Sequence, residues 1–283
     1  MNCLAGILDT TKTKTPVVHF ITNVVTVNDC ANMTLASGGS PIMSDDIREV
    51  EDIVDQCSAL VLNIGTLTER TVASMLRAGK RANERNCPVI LDPVGAGATK
   101  LRSQTIQLLL KELNFTVIKG NVSEIKFLAQ GITSSSGVDA STTDLIAESN
   151  LDSGVAFAQQ LSLVAGSIIA ITGPIDIIAS PNEVHIVRNG HPCMAKITGT
   201  GCMSGAVMGS YIGANPEAVL DASVAALCAM GICGENAHAR MLDQQAGLGT
   251  YRTLLIDCMS TLDGAMLDQQ KKRTLWGKDR LPA

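Results

Sequence analysis

The sequence predicts an α/β fold in which a mostly parallel central sheet carries helices on both of its faces. Short apolar runs, each four to six residues long and rich in Val, Ile and Leu, alternate with longer segments of helical periodicity. The runs are nearly continuous, as expected for parallel strands that are covered on both faces. This alternation is typical of repeated βαβ units. The chain is 46% hydrophobic but only 2% aromatic, so we expect an aliphatic core.

The predicted elements follow one another in a single domain, residues 1–283, because no break in composition marks a linker. The strands are predicted at Val17–Thr22, Ala59–Ile64, Pro88–Leu91, Phe115–Lys119 and Ile168–Thr172. A capping-box pattern at Thr66-Leu-Thr-Glu69 predicts the start of a helix. The Ser/Thr-rich stretch Ser134–Thr143 is expected to be a loop within the domain. The segments Ile177–Ser180 and Glu183–Val187 predict an added antiparallel hairpin.

The C-terminal third of the chain is apolar, but its pattern does not predict a membrane span. The chain becomes Ala-rich and helical from Gly199 to about Met266. Its uncharged stretch Ile197–Pro216 contains five glycines together with Thr, Ser and Asn, which favours a buried or site-forming segment. The N-terminal segment Met1–Lys14 lacks the apolar core of a secretory signal. We therefore expect no association with a membrane.

Charge and cysteine content exclude several other classes of protein. The 22 Lys and Arg residues are outnumbered by 27 Asp and Glu residues, and the net charge of −5 argues against a nucleic-acid partner. The few aromatic rings also argue against a stacking surface for single strands. Nine cysteines occur without any CxxC pair, which indicates reduced thiols in a cytoplasmic protein.

The residues that follow the predicted strands are small, polar and rich in glycine. In doubly wound folds the ligand lies outside the carboxyl ends of the strands, so these positions are the first candidates for a site. They are Thr22-Asn23, Gly65-Thr66, Asp92-Pro-Val-Gly-Ala-Gly97, Gly120-Asn121 and Thr172-Gly173. Such a rim is suited to phosphate and metal ligands.

The segment Gly199-Thr200-Gly201-Cys202, directly before a helical pattern, is the sharpest chemical signal in the chain. Glycines allow backbone amides to approach an anion, and a helix start adds partial positive charge. We therefore predict an anion hole for a transferring phosphoryl group. One alternative is a glycine-rich helix that merely packs tightly. Another is a relaxed dinucleotide fingerprint, although that motif normally opens the first βαβ unit.

Two carboxylates predict a site for hydrated Mg²⁺. Asp92 ends a predicted strand, and Glu124 follows the next strand in the pattern Gly120-Asn-x-x-Glu124. Carboxylates at adjacent strand ends suit a hydrated Mg²⁺ beside nucleotide phosphates. The alternative for Glu124 is a first-turn residue that only favours the helix dipole. The four histidines show no metal-ligand spacing, and neither a P-loop nor a GxSxG elbow occurs.

Together these motifs resemble the ribokinase-like superfamily of small-molecule kinases and, more narrowly, the hydroxyethylthiazole kinase family. The resemblance rests first on Asp92–Gly97, Gly120–Glu124 and Gly199–Cys202. Further segments match the pattern of the narrower family, namely Ile21–Val25, Gly39–Met43, Leu62–Thr66 and Asn189–Pro192. The matches extend from residue 17 to about residue 210, so they cover the fold and not one loop.

The resemblance implies roles for particular residues and a homotrimer with active sites between neighbouring subunits. The thiazole alcohol would contact Asn23, Val25, Met43 and Gly199. ATP, the co-substrate, would contact Lys119, Asn121, Thr172 and Gly173. Mg²⁺ would lie near Asp92 and Glu124. The catalytic residues would be the anion-hole residues Gly199, Thr200 and Gly201, together with Cys202.

The expected activity is ATP-dependent phosphorylation of the primary hydroxyl of 4-methyl-5-(2-hydroxyethyl)thiazole, in thiamine biosynthesis and salvage. Two residues bear on this expectation: Lys119 stands where the family often has Arg, and Cys202 stands where most of the superfamily has an Asp base. Cys202 favours the thiazole kinases over their neighbours. The alternatives are an ATP-dependent dehydratase of hydrated nicotinamide nucleotides and a catalytically silent nucleotide-binding protein.

Overall fold

The computed structural model of the chain describes residues 4–132 and 145–277. Its strands are β1 (Val17–Ile21), β2 (Ser40–Met43), β3 (Ala59–Asn63), β4 (Val89–Asp92), β5 (Val117–Asn121), β6 (Ile168–Thr172), β7 (Asp176–Ala179), β8 (Val184–Val187) and β9 (Arg273–Leu275). They form one sheet in the order β2-β1-β3-β4-β5-β6-β7-β8-β9. Pairing is parallel from β2 to β6 and antiparallel from β6 to β9. The predicted mostly parallel sheet is confirmed.

Helices cover both faces of this sheet, as predicted. They are α1 (Leu4–Lys14), α2 (Val27–Ala36), α3 (Val50–Val54), α4 (Glu69–Glu84), α5 (Lys100–Glu112), α6 (Val122–Ile132), α7 (Leu151–Ala165), α8 (Thr200–Ala214), α9 (Val219–Asp243), α10 (Leu248–Thr261) and α11 (Gly264–Gln270). One aliphatic core joins the sheet to α1, α2 and α8–α11, and a second core joins the opposite face to α3–α7. The helical region predicted after Gly199 is confirmed as four separate helices.

The apolar runs located the central strands and the hairpin, but not the two edges of the sheet. Strands β2 and β9 were not predicted. Every residue of β2 and β9 is half-buried, and β2 contains Pro41, so neither has the continuous apolar run of a central strand. The predicted loop Ser134–Thr143 lies outside the described residues.

The capping box predicted at Thr66–Glu69 was placed two residues too early in the chain. Helix α4 begins at Glu69, and its N-cap is Thr68. The hydroxyl of Thr68 accepts a hydrogen bond from the Thr71 amide at 3.1 Å, and Thr71 Oγ1 accepts one from the Thr68 amide at 2.9 Å. Two threonines therefore replace the expected Thr–Glu pair. The hydroxyl of Thr66 instead accepts a hydrogen bond from the amide of Val24, beside the site.

Among the described residues, one helical segment, Pro216–Asp243, is long and apolar enough to cross a membrane by length and composition. This segment contains α9 and the turn before it, and 72% of its most apolar window is buried inside the molecule. It packs against α8 and α10 and contributes to the first of the two cores. Such burial is typical of a core helix.

Candidate active site

A cavity of about 950 Å³ opens at the carboxyl ends of the parallel strands, where the sequence placed the candidate residues. Its lining includes nearly all of them: Asn23, Val25, Asp92, Lys119, Asn121, Glu124, Thr172, Gly173, Gly199, Thr200, Gly201 and Cys202. Met43, the remaining candidate, ends β2 and packs against the core beside β1 instead of lining this cavity. The structure therefore brings the candidates for anion, nucleotide and metal contacts together, and it leaves Met43 apart.

The start of helix α8 supplies backbone donors to this cavity. Gly199 is the N-cap, with a φ of 92° that disfavours any side chain. A Cβ atom at this position would lie 2.7 Å from Thr26 Cγ2, so the close approach of the two segments also requires glycine. The amides of Thr200, Gly201 and Cys202 precede the first helical hydrogen bond, which runs from the Met203 amide to Gly199 O. Three N–H groups at a helix N-terminus fit an anion.

A buried ion pair lies beside these amides. Lys119 Nζ is 3.3 Å from Asp92 Oδ1, and the two side chains are 2% and 3% exposed. Lys119 Nζ also donates a hydrogen bond to Gly201 O at 2.7 Å, which ties the ammonium group to the first turn of α8. Burial alone would lower the pKa of Lys119, but Asp92, Cys202 and Glu124 together raise it above its ordinary value. Lys119 therefore remains a positive charge at the helix start.

Glu124 caps its own helix and also faces the cavity. Its Oε2 accepts a hydrogen bond from the Asn121 amide at 2.8 Å, and Asn121 Oδ1 accepts one from the Glu124 amide at 2.9 Å. Its Oε1 accepts a hydrogen bond from the Gly95 amide at 2.9 Å. The capping role considered for Glu124 is thus present in addition to its position in the cavity lining.

The charges of Asp92 and Glu124 are close enough to affect each other. Burial raises the pKa of Glu124, two backbone hydrogen bonds oppose this rise, and the charge of Asp92 adds to it. Burial also raises the pKa of Asp92, against the attraction of Lys119. The site therefore combines two acidic side chains with one basic side chain, Lys119. Within residues 4–132 and 145–277, no group of three or more His, Cys, Asp and Glu side chains could hold a metal. The carboxylate oxygens of Asp92 and Glu124 are the kind of ligand that a hydrated cation shared with phosphates uses.

Cys202 lies between two side-chain amides. Its Sγ accepts hydrogen bonds from Asn23 Nδ2 at 3.3 Å and from Asn63 Nδ2 at 3.2 Å. Asn63 was not singled out from the sequence. It is the last residue of β3 and pairs with Asp92 across the sheet, so the strand-end rule that selected Asp92 applies equally to Asn63.

Asp176 is a second residue that the sequence did not reveal. It begins β7, is 8% exposed, and lines the cavity. Its Oδ1 accepts a hydrogen bond from the Gly173 amide at 2.9 Å and so fixes the turn after β6. Burial raises the pKa of Asp176 to about 7. Asp176 begins an antiparallel strand, and the search of parallel strand ends could not find it.

Comparison with known proteins identifies the family. A model of the Hydroxyethylthiazole kinase family matches residues 8–264. A hydroxyethylthiazole kinase of Clostridium acetobutylicum is 54% identical, covering 92% of this chain and 95% of the relative. One from Desulfovibrio desulfuricans is 53% identical, covering 94% and 96%. The solved hydroxyethylthiazole kinase of Pyrococcus horikoshii OT3 superposes with a TM-score of 0.85 at 29% identity, over 97% of this chain and 99% of that one. The chain belongs to the hydroxyethylthiazole kinase family.

Proposed function

We propose that the chain transfers the γ-phosphoryl group of ATP to the primary hydroxyl of 4-methyl-5-(2-hydroxyethyl)thiazole, in thiamine biosynthesis and salvage. Family membership supports this substrate. The observation that carries the chemistry is the arrangement at the start of α8. Free helix amides, the Lys119 ammonium and the Cys202 sulfur border one cavity. Anion donors and a proton-accepting group are therefore side by side.

Catalysis in this proposal comes mainly from positioning and charge stabilisation. Phosphoryl transfer passes through a loose transition state in which charge spreads over the equatorial oxygens. The amides of Gly201 and Cys202 and the Lys119 ammonium would neutralise that charge as it develops. Cys202 would orient the thiazole hydroxyl and, in its thiolate form, would accept the hydroxyl proton late in the reaction to become the thiol. Holding the hydroxyl in line with the phosphoryl group supplies the remaining advantage.

The nucleotide in this proposal lies along the neighbouring strand ends. Lys119, Asn121, Thr172 and Gly173 would contact ATP, and Asp92 and Glu124 would hold Mg²⁺ through its bound waters. The Mg²⁺ ion would supply charge neutralisation for the phosphates. The Gly173 amide is held by Asp176, so the turn that meets the nucleotide is fixed before it binds.

The thiazole would bind near Asn23, Val25 and Gly199, with Met43 contributed across a subunit interface. Val24 is 76% exposed and Val25 is 63% exposed, an unusual state for adjacent apolar residues beside a cavity. We propose that a homotrimer covers them, with one ribokinase-like domain per chain. The free state of the eight cysteines in the described residues supports a cytoplasmic location.

An ADP-release assay with three acceptors tests the proposal. The thiazole alcohol, a pyrimidine alcohol and hydrated NADH are each supplied with ATP and Mg²⁺. We expect ADP release with the thiazole alcohol and little with the other two. Release driven by hydrated NADH would support a dehydratase instead. Nucleotide binding without turnover of any acceptor would support a silent binding protein and contradict the proposal.

A further inference from the structure

Two buried side-chain amides hold the sulfur of Cys202. Asn23 Nδ2 and Asn63 Nδ2 both donate hydrogen bonds to Cys202 Sγ, at 3.3 and 3.2 Å. The amides are also joined to each other, because Asn23 Nδ2 donates to Asn63 Oδ1 at 3.0 Å. We call Asn23 and Asn63 the amide clamp. Asn23 is 3% exposed and Asn63 is 1% exposed.

Asp92 and Gly65 fix the orientation of the Asn63 amide. Asn63 Nδ2 donates to Asp92 Oδ2 at 2.7 Å. Because the Gly65 amide can only donate, Asn63 Oδ1 must face Gly65, and the Nδ2 group then faces Asp92 and Cys202. Asn63 Oδ1 accepts hydrogen bonds from the Gly65 amide at 2.9 Å and from Asn23. Both N–H groups and both acceptor sites of the Asn63 side chain therefore have hydrogen-bond partners, which fixes the orientation of the amide.

The side-chain amide of Asn23 also has hydrogen-bond partners for both its oxygen and its nitrogen. Its Oδ1 accepts hydrogen bonds from the amide and from the hydroxyl of Thr26, both at 3.0 Å. Its Nδ2 already donates to Asn63 and to Cys202. Protein atoms thus satisfy an amide that was expected to contact the thiazole. In this geometry Asn23 holds Cys202, and the thiazole would lie beside the two side chains.

Gly65 packs directly against both residues of the amide clamp. A Cβ atom at Gly65 would lie 2.9 Å from Asn23 Cβ and 3.0 Å from Asn63 Oδ1. Glycine therefore allows the backbone to approach both amides, and its own amide supplies one of their hydrogen bonds. The clamp is held by strand ends, a tight backbone approach and an ion-paired carboxylate, so it has little freedom to move.

We propose that Asn63 is a positioning residue, which acts through the amide clamp to hold Cys202 Sγ where it meets the phosphoryl acceptor. This inference rests on the proposed function. Asn63 is not itself part of the cavity lining, and it contacts four residues that are: Asn23, Gly65, Asp92 and Cys202. A cysteine side chain has several staggered rotamers, and two N–H donors select one of them. Small displacements of a reacting group cost much rate, so a free rotamer would slow the transfer.

A double-mutant cycle tests this inference. Asn63→Ala is expected to lower kcat with the thiazole alcohol about tenfold and to leave KM for ATP within about twofold. In a Cys202→Ala background, the same change should have less than about a twofold effect, because no sulfur remains to be positioned. Equal losses of kcat in both backgrounds would overturn the inference.

Two further variants separate the N–H donors from general packing. Asn63→Asp keeps an acceptor for the Gly65 amide and loses both N–H donors, so it should lower kcat at least as much as Asn63→Ala. Full activity of Asn63→Asp would overturn the inference. Asn83→Ala is the matched control, because it removes an exposed amide that bonds Asn114 O at 2.8 Å, away from the site. This control should keep wild-type kcat.

Crystal structures of the wild type and of Asn63→Ala give a readout that needs no turnover. We expect one sulfur position in the wild type and a rotated or divided sulfur position in the variant. An unchanged single position in the variant would overturn the inference. Absence of thiazole phosphorylation by the wild type would instead count against the proposed function, and the sulfur positions would still decide the role of Asn63.

Discussion

Cys202 is held in place at the start of α8 by the side chains around it. The Sγ atom receives two N–H donors and lies near the carboxylate of Asp92. A loose transition state needs little help from a base early in the reaction, because the nucleophile keeps its proton until late. At the scale of the residue, Cys202 therefore contributes more to the rate by orienting the hydroxyl than by its strength as a base.

Replacement of the sulfur tests this view. Cys202→Ala should lower kcat roughly 10²-fold, within the range for losing a positioned acid–base group, and should leave ATP affinity nearly unchanged. Cys202→Asp should keep substantial activity, because a carboxylate of similar volume accepts the same proton. Steady-state kinetics with the thiazole alcohol measure both variants. A fully active Ala variant with an inactive Asp variant would mean that Cys202 only packs at a tight turn.

Lys119 is expected to matter for stability as well as for phosphate contact. Lys119→Met leaves the Asp92 carboxylate buried without its cation, which should cost about 3–5 kcal/mol of the free energy of unfolding. Urea denaturation measures this change. Asp92→Asn in the Lys119→Met background should restore part of the loss, because no uncompensated charge remains. A double variant as unstable as Lys119→Met would show that the buried charge is not the cause.

At the scale of the element, the N-terminus of α8 depends on a backbone conformation that glycine supplies. Gly199→Ala adds a methyl group at a φ of 92°, 2.7 Å from Thr26, so both Tm and kcat should fall. Gly6→Ala is the control, because Gly6 lies in α1 and an added Cβ there meets no atom within 4 Å. This control should raise stability by up to about 1 kcal/mol. Thermal melts that show the same change for both variants would contradict the account.

Asp176, at the turn before β7, should make the free energy of unfolding depend on pH. Burial raises the folded pKa of Asp176 from 3.8 to about 7, so between these values the folded protein binds more protons than the unfolded chain. The contribution of Asp176 to the free energy of unfolding therefore falls as pH rises through this window. Asp176→Asn removes that contribution, so the stability of the variant relative to the wild type should rise as pH increases from about 4 to about 7. Urea titrations that show a constant difference would contradict this.

The elements also show what could be predicted from the sequence. Central strands could be predicted because burial on both faces requires a continuous apolar run in the sequence. Ligand-contacting positions could be predicted because polar residues follow those runs. Edge strands such as β2 are half-buried and lack that signal. The roles of Asn63 and Asp176 depend on partners far away in the chain or on an antiparallel turn, and the apolar pattern contains neither. Those roles needed the tertiary structure.

At the scale of the whole molecule, the exposed Val24 and Val25 predict assembly. Light scattering should give three times the chain mass of 29.6 kDa. Val24→Asp should lower this mass and the activity together, since it places a charge in an apolar contact. Leu242→Asp is the control, because Leu242 is 59% exposed at the end of α9. A fully active monomer would contradict the proposed intersubunit site.

The most direct test of the central claim is ³¹P NMR of the complete reaction. The wild-type chain, ATP, Mg²⁺ and the thiazole alcohol should give a new phosphomonoester resonance that grows in step with ADP. Cys202→Ala should give the same product about 10²-fold more slowly. ADP accompanied only by inorganic phosphate, or no turnover of the alcohol, would contradict the claim that this cavity transfers the phosphoryl group to the thiazole hydroxyl.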